Sequence, residues 1–350
     1  MMKSINISHF EISDTSPTFI VAELSANHNQ KYEVAVETIK EAKRIGADAI
    51  KLQTYTADTI TIESEKPYFR INQGTLWDGK TLYQLYKEAF TPWEWQPKLK
   101  KIAEEMGLIC FSSPFDKTAV DFLEQMNVPA FKIASFEITD IPLIEYIASK
   151  EKPMIISTGI ARLADIEEAL DACKKMGNHQ IALLKCTSAY PTPLEEVNLK
   201  TIPNLKETFH TIVGLSDHSL GISIPIAAVA LGAKIIEKHF ILDRKLGGPD
   251  AAFSLEPHEF EVMVRSVRDV EKALGQVQYE LTEKMKRSRE HARSLFVVKD
   301  IAAGEIFSAD NVRSIRPGNG LAPKYLNAVF GRKAKMEIKK GTPLSWNLMV

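Results

Sequence analysis

The sequence predicts a (β/α)8 barrel followed by a small, internally symmetric β module, and three observations carry that prediction. Eight short apolar runs alternate with stretches of helical periodicity between residues 19 and 240. Every one of those runs finishes on polar side chains. Beyond about residue 284 the charge and the grammar of the chain both change.

The runs are FIVAEL (19–24), AIKLQ (49–53), LICFSS (108–113), AFKIAS (130–135), MIISTG (154–159), IALLKCT (181–187), IVGLSDH (212–218) and KIIEKHF (234–240). Between them EVAVETIKEAKRIGA (33–47), TAVDFLEQM (118–126) and ADIEEALDACKKMG (164–177) place apolar residues three and four apart and close on Gly or a basic turn. A doubly wound open sheet is the competing architecture, but no GxGxxG follows the first run. Residues 54–107, with Trp77, Trp93 and Trp95, exceed a usual βα loop and are expected to cover part of the barrel mouth.

From Lys284 onward, 14 Lys and Arg face 5 Asp and Glu, a balance of +9; the preceding residues carry 30 and 40, or −10. The expected division is a catalytic barrel over 1–281, a linker over 282–292 and the β module over 293–350. Within that module, 293–312 and 334–345 share a β run, an Ile, two residues, a Gly and another β run. Its basic residues are dispersed and its aromatics few, which favours docking on an acidic body of its own dimer over nucleic acid.

At 350 residues, 45% hydrophobic and 25% charged, the composition is globular, not disordered or fibrous. The N-terminus lacks a basic start and apolar core, and the longest apolar stretch, 222–233, is too short to cross a bilayer. Cys110, Cys173 and Cys186 show no CxxC spacing, as expected of reduced thiols in a cytoplasmic protein without a membrane partner.

A barrel of this kind keeps its chemistry at the carboxyl ends of its strands. Those ends offer Glu23, Lys51 with Gln53, Ser113, Lys132 with Ser135, Ser157 with Thr158, Lys185 with Ser188 and Tyr190, Ser216 with His218, and Glu237 with His239. Side chains alternate along a strand, so Lys51 and Gln53, Ser216 and His218, and Glu237 and His239 each share a face. The last two runs are neighbours in a closed barrel, which lets His218 and His239 converge on one divalent metal. Two imidazoles leave room for water and a substrate oxygen, and mixed ligation suits manganese, zinc or magnesium. An amidohydrolase would open with H-x-H on its first strand, where this chain has Glu23 and only a loop His28 after it.

Lys51 and Lys132 lie inside strands, where a lysine is costly unless it meets an anion. With Ser113, Ser135, Ser157 and Ser216 they form a socket for phosphate or carboxylate; the bland alternative pairs them with Glu23 or Glu137. Polar surroundings argue against a Schiff-base lysine. Lys238 points outward by parity and has no role in this scheme. Turn chemistry at Gly247, Gly248 and Pro249 holds up Asp250, and RPGNG (316–320) is a tight turn presenting Arg316.

The ordered motifs FIVAELSANHN, AIKLQT, SSPFD, FKIASFE, ISTG, KCTSAYPTP, GLSDHS, EKHF, GGPDAAFS and RPGNG resemble the sialic acid synthase family, and within it the pseudaminic branch, along nearly the whole chain. The resemblance implies a barrel followed by an antifreeze-like SAF domain of β-clip form, in a domain-swapped homodimer whose SAF domains cap the partner barrels. It implies condensation of phosphoenolpyruvate with an open-chain diacetamido trideoxy altrose, releasing phosphate; another amino sugar, giving sialic or legionaminic acid, is the alternative. By the same resemblance His218 and His239 bind the metal, manganese with magnesium or cobalt as substitutes. Lys51, Ser113, Lys132, Ser135, Ser157, Ser188 and Ser216 would hold phosphoenolpyruvate. Glu23, Glu237 and Tyr190 would act at the reacting carbons, and Gln53, Glu137, Tyr190, Asp250 and, from the other subunit, Arg316 would meet the sugar. The chain departs from the sialic acid synthases at Ser188, where they carry Asn, at Lys185, where they carry His, and in SANHNQ, where they read INHEG. A glycan- or ice-binding protein with a relic barrel is the reading from another class, and it leaves the eight polar strand ends without a purpose.

Overall fold

In the computed structural model, which describes residues 4–350, the eight apolar runs become eight parallel strands. An antiparallel hairpin, β1 (Ile5–Ile7) and β2 (Phe10–Ile12), precedes them. The barrel strands are β3 (Phe19–Glu23), β4 (Ala49–Thr54), β5 (Ile109–Pro114), β6 (Phe131–Ile133), β7 (Met154–Ser157), β8 (Ile181–Cys186), β9 (Ile212–Asp217) and β10 (Ile235–His239). Pairing of β10 with β3 closes the barrel.

Alternation divides each strand between two cores. Phe19, Val21, Phe111, Leu184 and Ile235 fill the barrel interior, while Ile20, Ala22, Ile50, Leu52 and Ile236 pack under the surrounding helices. Ile5, Ile7 and Ile12 of the hairpin join the interior cluster beside the first residues of the strands, so the hairpin stops the N-terminal end. The sequence reading assigned no structure to that hairpin. Gly214 on β9 is required by close approach: a Cβ there would meet Ile235 O at 2.4 Å and Leu184 Cδ2 at 2.6 Å.

The three periodic stretches appear as helices Tyr32–Arg44, Lys117–Gln125 and Leu163–Lys175. Asp116 caps the second, its carboxylate accepting from Thr118 N and Ala119 N. In the long insert, helix Gln96–Glu105 belongs to the barrel's outer ring, and only Trp77 of the three tryptophans reaches the mouth. Trp93 packs on Phe122 and Trp95 on His28 and Tyr32, on the barrel's flank.

Parity holds at Lys238, which points out of the barrel and is fully buried under the helices, paired with Asp217. On β8 the residue facing inward is Cys186, in step with Ala182 and Leu184; Lys185 turns away, and its Nζ donates to Cys186 O and Thr187 Oγ1.

The chain divides into compact units at Gly275 and Gln276, ahead of the boundary expected at 281. The stretch expected as a linker, 282–292, contains a helix, Glu283–Arg289, started by Thr282, whose hydroxyl accepts from Met285 N. In the second unit β11 (Ser294–Val297) pairs with β12 (Val312–Ile315), and the two repeats meet each other directly. Ile301 and Ile338, the equivalent isoleucines, exchange two backbone hydrogen bonds of 2.9 Å. The following glycines, Gly304 and Gly341, take matching left-handed φ values of 80° and 90°.

Gly214→Ala is expected to lower stability by about 1–3 kcal/mol through overpacking against β8 and β10. Urea unfolding of the whole chain reads this loss.

Candidate active site

At the strand ends, four charged side chains meet inside the barrel. Lys51 Nζ lies 2.7 Å from Glu23 Oε2 and 3.5 Å from Glu237 Oε1, and Lys132 Nζ lies 3.8 Å from the same Glu237 oxygen. Lys51 also reaches Ser113 Oγ at 3.3 Å, and Lys132 donates to Ser157 Oγ at 2.7 Å. The carboxylate common to both lysines is therefore Glu237. Glu137 is not that partner, because it sits on the short turn Ser135–Glu137 beyond the end of β6 and forms no ion pair among the described residues.

This arrangement splits the two glutamates. Burial, opposed by Lys51 and reinforced by Glu237, pushes Glu23 up to about 7. Burial acts on Glu237 too, but Lys132 and Lys51, with Ser216, hold it below the usual carboxylate range. Near neutral pH one carboxyl exchanges a proton while the other stays ionised. Beyond β6, burial raises Glu137 to about 7 against the pull of Lys132. Its Oε2 has no hydrogen-bond partner among the described residues, and neither has Glu237 Oε2.

Beside Lys132 the hydroxyls crowd together around a glycine. Ser135 Oγ accepts from Gly159 N at 3.2 Å, and a Cβ on Gly159 would lie 2.1 Å from Ser188 Oγ and 2.6 Å from Ser135 Oγ. Ser188 Oγ is buried without a partner among the described residues. Ser135, Ser157, Ser188 and Lys132 thus make a compact donor group suited to an anion. Ser216, expected at the same anion from sequence, donates to Glu237 Oε1 at 3.1 Å.

Across the mouth, the rings of His218 and His239 stand 5.3 Å apart between centroids. His218 Nδ1 lies 3.2 Å from Thr187 O, a contact that places the proton on Nδ1 and frees Nε2. Burial, with His218 and Lys51 nearby, holds His239 well below its ordinary value, so it is neutral. His239 Nδ1 is buried without a hydrogen bond among the described residues and lies 3.7 Å from Asp250 Oδ2. Two imidazoles with ring nitrogens to spare fit a divalent cation. Among the described residues no group of three His, Cys, Asp or Glu converges to hold one, so its other positions would fall to water and substrate.

The wall beside the imidazoles is aromatic. Tyr190 lies 4.4 Å from the His218 ring, 5.4 Å from Phe253 and 5.5 Å from Trp77, whose Nε1 donates to Pro249 O at 2.9 Å. The opposite side is a polar chain: Gln53 Nε2 donates to Glu23 Oε1 at 3.1 Å and to Ser25 Oγ at 2.9 Å, and Ser25 donates to Asp250. Ser25, in a left-handed turn at φ 44°, escaped the sequence reading, as did Cys186. Burial opposes ionisation of Cys186, while His218 in its protonated form, with Nδ1 3.8 Å from Sγ, brings the thiol down to about 7. Counting inward positions along β8 would have found it. His28 is structural, bonded to Thr91 Oγ1 and depressed to about 4 by burial.

Arg316 belongs to the second unit, exposed on its turn. Gly318 N donates to Glu290 O, and Ser294 Oγ spans Pro317 O and Gly320 N, which fixes the loop that carries it.

Fold and mouth together define a (β/α)8 enzyme whose polar groups gather at the C-terminal ends of its strands. Comparison with known proteins makes this specific. The chain belongs to the NeuB family, whose model matches residues 38–279, and a SAF domain follows at 292–349. It is 49% identical over 326 residues to the pseudaminic acid synthase of Campylobacter jejuni, covering 93% of this chain and 95% of that protein. It is 46% identical to the pseudaminic acid synthase of Helicobacter pylori, over 94% of this chain and 97% of that one. Among solved structures, N-acetylneuraminic acid synthetase from Leptospira borgpetersenii superposes with a TM-score of 0.73 at 33% identity, over 82% of this chain and 95% of that chain.

A carboxyl raised from 4.5 to about 7 on folding binds more protons in the native state between those values, so its contribution to stability falls as pH rises through about 7. Glu23→Gln removes this contribution. Between about pH 5 and pH 8 the variant should gain stability relative to the parent, measured as the difference in urea midpoints; parallel pH responses would refute a raised Glu23.

Proposed function

We propose that this protein condenses phosphoenolpyruvate with an open-chain diacetamido trideoxy altrose, giving pseudaminic acid and phosphate. The observation that carries this reading is the buried donor group of Lys132, Ser135, Ser157 and Ser188 beside two oppositely tuned glutamates. C3 of phosphoenolpyruvate forms the new bond to the aldehyde carbon, whose oxygen gains a proton. Water adds at C2, and the C2–O bond to phosphate breaks.

The chain's own groups divide this work. Lys51 and Lys132 present donors to phosphate and carboxylate, and the serines orient the phosphate. Glu237, ionised and with Oε2 free, orients the water that adds at C2. Glu23, poised near neutrality, accepts its proton. His218 and His239 would hold a divalent cation, manganese with magnesium or cobalt as substitutes, which supplies Lewis acidity at the aldehyde oxygen when bound. Gln53, Glu137 and Asp250 offer acceptors and donors for the sugar's hydroxyls and amides. The rings of Trp77 and Tyr190 give the mouth an apolar wall, which suits a deoxy sugar.

The basic second unit acts in this reading as a cap on the barrel of a second copy, with Arg316 entering the partner's mouth towards an acetamido group. Three buried, unpaired thiols suit a reducing cytoplasm. No helix among the described residues is long and apolar enough to cross a membrane.

Mixing the protein with phosphoenolpyruvate and each candidate sugar, and weighing the keto acid formed, tests the reaction and its acceptor together. Phosphate release only with N-acetylmannosamine would overturn the pseudaminic assignment. Chelator is expected to stop turnover and added manganese to restore it. A mixed dimer of Glu237→Gln and Arg316→Ala subunits should regain one working site; inactivity matching both parents would show that Arg316 acts within its own chain.

A further inference from the structure

Asp217 and Lys238 are both buried, at 4% and 0% exposure, and neither touches the substrate face of the barrel. They are ladder partners on adjacent strands, in the register Ile236↔Leu215, Glu237↔Ser216, Lys238↔Asp217. One residue further along each strand stand His218 and His239. β9 ends at Asp217, so the sheet ladder no longer holds His218 where its ring must be aimed.

A clamp takes over at that point. Asp217 Oδ2 accepts from Lys238 Nζ, Asp217 Oδ1 accepts from Ser219 N at 3.0 Å, and Lys238 Nζ also donates to Ser219 O. The residues on either side of His218 are thereby tied to the residue before His239. Stability alone is a weak reason to bury such a pair, because an apolar replacement of similar volume is often neutral or better. A fixed geometry between two strand ends is the service an ion pair gives that an apolar contact does not.

We propose that the Asp217–Lys238 pair is a positioning device that sets the spacing of His218 and His239, and through it the affinity of the mouth for a divalent cation. This rests on the metal reading of the two histidines. The clamp lies on the outer face of the sheet, so its geometry reaches the site through the backbone of β9 and β10, beside the through-space influence of Asp217 on His218 and of Lys238 on His239.

The test compares the metal-stripped, full-length protein with the double variant Asp217→Asn/Lys238→Met, using manganese ion alone as the probe in calorimetry. Removing both charges avoids an unpaired buried ion, so the melting temperature should stay near the parent's while manganese affinity falls about ten- to a hundred-fold. Parental affinity in a folded double variant would overturn the proposal. Imidazole nitrogen resonances of the metal-free proteins give a second readout: displaced His218 and His239 signals support the clamp, and unchanged signals refute it. Should the parent itself bind no manganese, the metal reading falls and these resonances alone decide the positioning role. If the double variant does not fold, the neutral pair Asp217→Asn/Lys238→Gln, which also leaves no buried charge unpaired, takes its place with the same two readouts.

Discussion

Four charges buried within one barrel hold one another's ionisation, and the mouth is organised around them. Lys51 and Lys132 share Glu237, and Glu23 is left with one lysine and a neighbouring negative charge. Had the two glutamates matching surroundings, they would titrate alike and could not serve as an ionised and a proton-exchanging partner. The shared lysines break that symmetry. The group carries no surplus positive charge by itself, yet its hydroxyl flank at Ser135, Ser157 and Ser188 offers donors with few competing acceptors.

A second division runs across the same opening. One side, from Gln53 through Ser25 to Asp250, is a chain of hydrogen bonds; the other, from Trp77 through Tyr190 to Phe253, is a run of rings. His218 and His239 stand between the two. An acceptor sugar with amides and hydroxyls along its length and a methyl at its end matches both sides at once.

Much of this was legible in the sequence because a barrel strand obeys a period of two. That rule put Lys51 with Gln53, Ser216 with His218 and Glu237 with His239, and the closed order of strands brought the two histidines together. The same rule fails where a strand stops. Ser188 and Glu137 lie beyond strand ends, so alternation does not locate them, and Ser25 depends on a left-handed turn that no periodicity encodes. Lys238 was placed outward correctly but left without a role, because parity gives the direction of a side chain and not what covers it. Cys186 was overlooked because a thiol among apolar residues reads as filling until its neighbour His218 is known.

The seam where β3 meets β10 links Phe19–Glu23 to Ile235–His239. During synthesis the first stave must wait, its edge unpaired, until more than two hundred further residues have left the ribosome. Glu237 and His239 arrive on that final stave, so wall and chemistry are completed in one event. A nascent chain stalled short of it is left with an open sheet and no means of acting on a substrate.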